Sequence, residues 1–283
     1  MKTKWGQNFL SDPKILSKIA DAAKIKKEDT VVEIGPGKGS LTLELLKRAS
    51  KVIAIEKDGE LAKELENKFS VEIKDNKLQI IVADILDYNL KTTDYKLTGN
   101  IPYYITGEIF RKFLESDNQP KSITFVIQKE VAERIIARDK KAQPSHKALP
   151  SSETTDGHST AGKESILSIS IKAYGEPKYG GIIKAGSFFP KPKVDSAILS
   201  VENINKEKFR EYKITEKKFF EVVRTGFAHK RKFLIKNLTN LSRTDLDIER
   251  VGEVFDELGI DKKIRAEDLK IEDWFKIAEK ILH

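Results

Sequence analysis

Five short apolar runs in the first half of the chain constrain its fold more than any other feature. They cover residues 30–34, 51–55, 78–82, 95–99 and 122–127. Each run is rich in β-branched or apolar side chains and is followed by a turn and a helical or loop segment. Strands that alternate with helices predict a parallel sheet covered on both faces. We therefore expect an α/β fold here.

The pattern changes towards the C-terminus. Residues 165–174 and 195–202 resemble two further strands without a long helix between them, which predicts an antiparallel hairpin at one edge of the sheet. Beyond residue 204 the apolar spacing becomes helical. Helices are expected at residues 215–227, 230–240, 246–259 and 266–281. The predicted domains are therefore residues 1–204, which are α/β, and residues 205–283, which are all-α.

One segment of the first predicted domain has a different composition. Residues 139–163 contain a single large apolar side chain, Leu149, among Ser, Thr, Pro, Gly and charged residues. Such a segment buries too little apolar surface to offset the entropy lost on ordering. We expect a flexible insertion there.

Charge is distributed unevenly along the chain. The 52 lysines and arginines exceed the 44 acidic residues, giving a net charge of +8. Residues 206–236 carry eleven basic and four acidic side chains, net +7, whereas residues 237–261 have a net charge of −5. Residues 1–27 add a second basic region, net +5. Local basic blocks favour a polyanionic partner.

Composition excludes several classes of function. The chain has no cysteine, which excludes disulfides, thiolate nucleophiles and cysteine-bound zinc, and its four histidines are scattered, so we expect no metal site. No apolar run approaches the roughly 18 residues of a membrane span. The N-terminal sequence lacks the apolar core of a secretory signal. We expect a cytoplasmic protein without membrane contact.

A glycine-rich turn follows the first apolar run. Residues 33–39 read Glu-Ile-Gly-Pro-Gly-Lys-Gly. Gly35 and Gly37 let the backbone approach a ligand, because a side chain at either position would occupy that space. Glu56 ends the next run, where a carboxylate can accept both ribose hydroxyls of a nucleoside. Asp84 follows the third run and can accept from the exocyclic amine of an adenine.

The same turn lacks the features of a phosphate loop. The third glycine of a dinucleotide fingerprint is replaced by Thr42, or by Ser40 if the count starts at Gly35. Lys38 is followed by Gly39 instead of Ser or Thr. Pyrophosphate and triphosphate ligands are therefore disfavoured. A nucleoside without phosphate, such as S-adenosylmethionine, fits the pattern.

The fourth run ends in Asn100-Ile101-Pro102-Tyr103. An asparagine side-chain carbonyl beside a backbone carbonyl can accept both hydrogens of an exocyclic amine. Pro102 makes the turn rigid, and Tyr103 offers a face on which a base can stack. The sequence therefore predicts a site for the amine of a base.

These motifs, taken in order, resemble the ribosomal RNA adenine N6-dimethyltransferase family, whose members dimethylate two adjacent adenines near the 3′ end of small-subunit rRNA. The resemblance rests on residues 6–10, 33–37, 56, 84, 100–103, 188–196 and 223–238. It implies a Rossmann-like class I methyltransferase domain and a smaller helical domain that binds RNA. It also implies S-adenosylmethionine as cofactor, S-adenosylhomocysteine as product, no metal, and a monomer acting on pre-30S particles.

The resemblance also implies roles for individual residues. Those implied to bind the cofactor are Asn8, Leu10, Gly35, Gly37, Glu56, Asp84, Ile85 and Asn100. Those implied to be catalytic are Asn100, Ile101, Pro102, Tyr103 and Phe188. Asn100 and the Ile101 carbonyl would hold the target amine, and Tyr103 and Phe188 would stack on the flipped adenine.

The basic block of the second domain is a candidate RNA contact. Phe227 and Phe233 are interleaved with its cations and would anchor them. The predicted RNA-binding residues are Arg224, Lys230, Arg231, Lys232 and Lys236. Phosphate contacts of this kind position RNA without reading its sequence.

Three alternatives are kept open. The related large-subunit rRNA methyltransferase of the macrolide-resistance type shares the catalytic core, although the basic block and the Arg265 stretch favour the small-subunit type. A non-catalytic ribosome-assembly factor could retain the fold. A nicotinamide dehydrogenase is disfavoured by the glycine pattern and by the motif at residues 100–103.

Overall fold

The computed structural model describes residues 7–136, 163–241 and 246–282. The chain divides into two compact units, Met1–Ala132 with Gly175–Asn205 and Glu133–Tyr174 with Lys206–His283. This division differs from the predicted domains, which assign residues 133–174 to the first. Apart from Lys163, the predicted insertion at residues 139–163 lies outside the described residues.

The first unit is built on a seven-stranded sheet in the order β4-β3-β2-β5-β6-β9-β7. The strands are β2 (Thr30–Ile34), β3 (Lys51–Glu56), β4 (Leu78–Val82), β5 (Tyr95–Asn100), β6 (Ser122–Gln128), β7 (Glu176–Ile183) and β9 (Ser196–Glu202). Strands β2 to β6 pair in parallel, which confirms all five predicted strands. Their carboxyl ends therefore meet at one edge of the sheet.

Helices pack on the parallel strands. They are α1 (Pro13–Ala22), α2 (Ser40–Leu46), α3 (Gly59–Lys68), α4 (Ser70–Lys74), α5 (Thr106–Leu114) and α6 (Lys129–Ile136), the last extending into the second unit. Helix α1 begins at Pro13, because the Asp12 carboxylate caps it by accepting from the Lys14 amide and proline suits the first turn. Leu16, Ile19 and Ala20 of this helix are buried in the core.

The predicted antiparallel hairpin exists, but its first strand is misplaced. Residues Ile166–Tyr174 form helix α7, and β7, which follows it, pairs with β9. The alternation of Ile and Ser in this segment suggested a strand. The helix is stabilised by polar contacts at helical spacing, because the buried Glu164 carboxylate accepts from Ser168 Oγ at 2.6 Å and from Lys172 Nζ at 2.8 Å.

A short ribbon joins residues that are distant in sequence. Strand β1 (Phe9–Leu10) pairs antiparallel with β8 (Phe188–Phe189), so that Phe9 lies opposite Phe189 and Leu10 opposite Phe188. The chain that precedes α1 is thereby held against the segment that precedes β9.

The second unit is helical. Besides α7 it contains α8 (Glu207–Glu211), α9 (Glu216–Gly226), α10 (Leu234–Leu238), α11 (Ile248–Glu257) and α12 (Ile271–Leu282). The four predicted helices are present with shorter bounds, and α8 was not predicted. The core is aromatic, and the Phe219 and Phe275 rings stack with centroids 4.2 Å apart. Among the described residues, no helix is long and apolar enough to cross a membrane.

Candidate active site

A cavity of about 350 Å³ lies in the first unit, at the carboxyl ends of β2, β3, β4 and β5. Open parallel sheets bind ligands at this edge. The lining contains every predicted cofactor-binding residue, namely Asn8, Leu10, Gly35, Gly37, Glu56, Asp84, Ile85 and Asn100. It also contains Ile101, Pro102 and Tyr103.

The glycine turn has the backbone conformation that its sequence predicts. Gly35 and Gly37 have φ values of +65° and +55°, in the left-handed region that favours glycine. A Cβ built on Gly35 would meet no heavy atom within 4 Å, whereas one built on Gly37 would lie 2.8 Å from Phe9 Cε1. The Phe9 ring of the β1–β8 ribbon therefore covers the turn at Gly37.

The Glu56 carboxylate is held at the end of β3 by two backbone donors. Its Oε2 accepts from the Gly37 amide and its Oε1 from the Asp58 amide, both at 3.0 Å. The side chain is 3% exposed and lines the cavity. Each oxygen keeps a second lone pair, so the fixed carboxylate can accept the hydroxyls of a ligand.

Glu33 is a cavity residue to which the sequence analysis assigned no role. Glu33 is the penultimate residue of β2 and is 1% exposed. Its Oε2 accepts a hydrogen bond from Thr42 Oγ1 at 2.7 Å. Burial raises the pKa of Glu33 to about 8; the Thr42 hydrogen bond opposes this, and the Glu56 charge adds to it. A carboxyl group inside an otherwise apolar strand was the signal that could have identified it.

Asp84 and Lys57 form an ion pair at the cavity, with Lys57 Nζ 2.6 Å from Asp84 Oδ2. The Leu86 amide donates to Asp84 Oδ1 at 3.0 Å. The Lys57 hydrogen bond and then that of the Leu86 amide lower the pKa of Asp84. The carboxylate is therefore ionised and retains lone pairs for a further donor. The buried side chain of Ile85 supplies an apolar wall beside it.

Asn100 is fixed by a contact with the N-terminal segment. Its Nδ2 donates to the Asn8 backbone carbonyl at 2.7 Å. Because a carbonyl only accepts, this bond determines which end of the amide is nitrogen. No donor among the described residues occupies Asn100 Oδ1, which remains available as an acceptor. The sequence motif identified Asn100 but gave no sign of Asn8 as its partner.

The turn after Asn100 contains two tyrosines in different environments. Tyr103 lies in a 3₁₀ turn (Tyr103–Ile105), and its hydroxyl shares a 2.6 Å hydrogen bond with Ser196 Oγ at the start of β9. Burial raises the pKa of Tyr103, and the Ser196 hydrogen bond opposes that rise. Tyr104 also lines the cavity, but it is 69% exposed.

The structure does not bring Phe188 to the cavity lining. Its side chain is 5% exposed and packs in the core cluster with Leu10, Val126 and Ile198. The next ring, that of Phe189, is 72% exposed. That Phe188 stacks on a base stays a prediction.

The predicted RNA-binding residues lie together in the second unit, and all five are exposed. They are Arg224 at the end of α9, Lys230, Arg231 and Lys232 in the following turn, and Lys236 in α10. The buried Asn237 holds this turn, because its Nδ2 donates to the Gly226 carbonyl at 2.6 Å and to the His229 carbonyl at 3.1 Å. The Phe227 ring stacks on Trp274.

Comparison with known proteins identifies the family. The family described as Ribosomal RNA adenine dimethylase matches residues 1–282. The chain belongs to this family. The present chain is 38% identical in sequence to Ribosomal RNA small subunit methyltransferase A from Clostridium botulinum (strain Okra / Type B1). The alignment covers 97% of this chain and 91% of that protein. The protein of the same name from Dehalococcoides mccartyi (strain ATCC BAA-2100 / JCM 16839 / KCTC 5957 / BAV1) is 37% identical, over 96% and 86%.

Two solved structures of similar fold superimpose on nearly the whole of this chain. A dimethyladenosine transferase from Plasmodium falciparum superimposes with a TM-score of 0.74 and 27% identity, over 95% of each chain. The 23S rRNA methyltransferase ErmE superimposes with a TM-score of 0.71 and 25% identity, over 98% of this chain and 100% of that one. Both confirm the predicted α/β methyltransferase fold class.

Proposed function

We propose that this protein transfers methyl groups from S-adenosylmethionine to the N6 amines of two adjacent adenosines near the 3′ end of small-subunit rRNA. Family membership supports adenine in rRNA as the substrate. The curated relatives, which are named small-subunit methyltransferases, support the choice of subunit. The observation that carries the proposal is the fixed Asn100 amide, which offers its oxygen at the cavity beside Ile101.

The residues of the cavity fit S-adenosylmethionine. Open space at Gly35 permits the backbone to approach a ligand, and the fixed Glu56 carboxylate suits a ribose. Asp84 and Ile85 would hold the adenine, and Asn8, Leu10 and Gly37 the methionine portion. When bound, the cofactor supplies a methyl group on a sulfonium, which is already a strong electrophile.

The residues of the chain would act by holding and orienting the amine. Asn100 Oδ1 and the Ile101 carbonyl accept its two N–H bonds, which favours a pyramidal nitrogen whose lone pair is free to react. Tyr103 stacks on the base. Asn100 is a neutral acceptor, so the proton lost from the nitrogen passes to solvent. One N–H remains after the first transfer, which allows a second one at the same site.

The basic block of the second unit supports an rRNA partner. Its exposed cations are suited to phosphates, and the Asn237 contacts hold the turn that carries three of them. We include in the proposal that the substrate is the pre-30S particle and that the protein acts as a monomer in the cytoplasm.

The proposal is tested by incubating the protein with labelled S-adenosylmethionine and unmodified small subunits, then mapping the label by primer extension and nuclease digestion. Label as N6-dimethyladenosine at two adjacent positions near the 3′ end is expected. Label at any other base, or none, would overturn the proposal.

The large-subunit alternative has one observation in its favour, the fold match to ErmE over the whole of that chain. Parallel assays with protein-free large-subunit rRNA separate the two functions. A non-catalytic assembly factor would give no label with either RNA, whether or not it binds S-adenosylmethionine in calorimetry.

A further inference from the structure

Three aromatic side chains among the described residues are exposed, whereas the others are at least partly buried. They are Tyr104, Phe189 and Phe233. Phe233 lies beside the basic turn of the second unit. Tyr104 lines the cavity of the first unit, and Phe189 lies opposite Phe9, another lining residue. Two exposed rings, those of Tyr104 and Phe189, thus lie next to the candidate active site. Their exposure forgoes the stability that burying an aromatic side chain would give.

Phe189 belongs to a segment whose exposure alternates along the chain, and we call residues 188–195 the Phe-Pro loop. The buried or half-buried Phe188, Pro190 and Pro192 alternate with the exposed Phe189, Lys191 and Lys193, and Val194 is exposed as well. The two prolines restrict the backbone. The loop therefore presents one ring and two ammonium groups to solvent and loses little entropy when a ligand binds them.

Both ends of the Phe-Pro loop are fixed near the predicted site of the amine. Its first residues pair with β1, which precedes α1 and lines the cavity. At its other end, Asp195 Oδ1 accepts from the Ala185 amide at 2.9 Å, and the Asp195 carbonyl accepts from the Lys129 amide at 3.0 Å. The adjacent Ser196 is hydrogen-bonded to the Tyr103 hydroxyl.

The loop has an uncompensated positive charge. Its one acidic residue, Asp195, pairs with Lys184 at 3.0 Å. Lys191 and Lys193 form no ion pair with the part of the chain that the structure describes. An exposed ring followed by two free cations suits an unpaired nucleotide, because its base can stack and its phosphates need cations. A paired base offers no free face to the ring.

We propose that the Phe-Pro loop is a second RNA contact surface, which takes an unpaired nucleotide next to the target adenosine. The Phe189 ring stacks on the base of that nucleotide, and Lys191 and Lys193 contact the adjoining phosphates. The nature of this partner rests on the proposed function. The surface differs from the basic block in belonging to the unit that holds the cavity.

Fluorescence anisotropy measures RNA binding and tests whether the Phe189 ring stacks on an unpaired base. The probes are a labelled RNA hairpin with two adjacent unpaired adenosines and the same sequence fully paired. Phe189→Ala should raise the Kd for the unpaired probe about 5- to 150-fold, the effect of losing one stacked base, and should not change the Kd for the paired probe. Phe189→Trp should restore tight binding because it keeps a stacking face.

The salt dependence of RNA binding tests whether Lys191 and Lys193 contact phosphates. The double variant Lys191→Gln/Lys193→Gln should reduce the slope of log K against log salt by about 1.4, since each single-strand phosphate contact contributes about 0.7. The matched control is Lys63→Gln/Lys74→Gln, which removes the same charge from two exposed lysines of α3 and α4. Its slope should equal that of the wild type.

Affinity for S-adenosylhomocysteine, measured by calorimetry, reports the fold of every variant. If Phe189→Ala lowers that affinity, Phe189→Leu replaces it, since leucine keeps apolar volume without a π face. Unchanged affinity for the unpaired probe, an equal loss for the paired probe, or slopes that match the control would overturn the inference. A wild-type protein that binds these probes but leaves small subunits unmethylated would contradict only the proposed function.

Discussion

Asn100 shows how one amide can be oriented by a residue far away in the chain. Its nitrogen donates to the carbonyl of Asn8, which precedes β1, and its oxygen is left for a ligand. The motif at residues 100–103 predicted the acceptor. The partner was not predictable from the sequence, because the contact depends on the ribbon that brings residues 8–10 to the end of β5.

Replacing Asn100 with alanine should reduce turnover about 100- to 1,000-fold, the usual cost of removing a donor or acceptor that acts on the reacting group. S-adenosylmethionine affinity should fall much less, because the other lining residues remain. Single-turnover methylation and calorimetry measure the two effects. Asn118→Ala is the control, since the Asn118 amide group donates to the Leu90 and Thr92 carbonyls and does not line the cavity. Near-wild-type turnover of Asn100→Ala would contradict the assigned role.

The raised pKa of Glu33 predicts a pH dependence of stability. The carboxyl group titrates near pH 8 in the folded protein and near 4.5 when unfolded, so only the folded state holds this proton between those values. The free energy of unfolding should therefore fall as the pH rises across that window, by up to about 1.4 kcal/mol per pH unit. Glu33→Gln, which carries no titrating proton, should lack this component.

Urea unfolding of both proteins at several pH values between 5 and 8 measures the difference. Subtracting the Glu33→Gln values removes the contributions of carboxyl groups with lowered pKa, such as Asp84. If the two proteins show parallel pH dependence, Glu33 is already ionised in the folded protein.

Gly37 is required for two reasons that can be measured together. Alanine there would occupy the left-handed region, at a cost of roughly 1–2 kcal/mol, and its Cβ would lie 2.8 Å from the Phe9 ring. Gly37→Ala should therefore lower both the unfolding free energy and S-adenosylhomocysteine affinity. Gly107→Ala in α5 meets no atom within 4 Å and is the matched control. Equal ligand affinities in the two variants would contradict the prediction.

At the scale of elements, the basic turn between α9 and α10 owes its shape to buried contacts beneath it. Arg231→Gln/Lys232→Gln should weaken RNA binding and flatten its salt dependence, by about 0.7 to 0.9 in the slope for each lost phosphate contact. Anisotropy at several salt concentrations measures the slope. Lys262→Gln/Lys280→Gln, on exposed lysines elsewhere in the unit, is the control. An unchanged slope in the first variant would show that RNA contacts other residues.

Local patterns predicted most elements but not those that depend on distant partners. Strands β2 and β4 were found to the residue, because β2 is buried beyond its first residue and β4 has a single polar side chain, that of Gln79. Helix α7 was taken for a strand, since its apolar residues alternate while its helical signal lies in the polar Glu164 and Lys172. Strands β1 and β8 have two residues each, and neither segment alone indicates that the two pair with each other.

At the scale of the whole molecule, α7 shows that the second unit is not a continuous segment. The Tyr174 ring lies 5.1 Å from that of Phe209 and 5.9 Å from that of Phe220, and Lys208 Nζ donates to the Lys172 carbonyl at 2.9 Å. The change of period in the sequence placed a junction near residue 205, where the second segment of this unit begins at Lys206. It gave no sign that an earlier helix completes the aromatic core.

A fragment of residues 206–283 should therefore unfold at a lower urea concentration than a fragment of residues 163–283, which includes α7. Loss of Tyr174 alone removes an aromatic packing contact worth about 3–5 kcal/mol on truncation. Circular dichroism during urea titration compares the two. Equal midpoints would mean that α7 contributes nothing to the fold of this unit.

The pairing of β1 with β8 has a consequence for the order of events during synthesis. Phe9 leaves the ribosome early, but its partner Phe189 is added only when most of the first unit has been translated. At about 5–20 residues per second, the wait is roughly 10–35 s. The sheet strands β2 to β6 are available before then, yet the wall formed by residues 8–10 is not. A nascent chain arrested before residue 188 should therefore pair strands β2 to β6 and fail to retain the methyl donor.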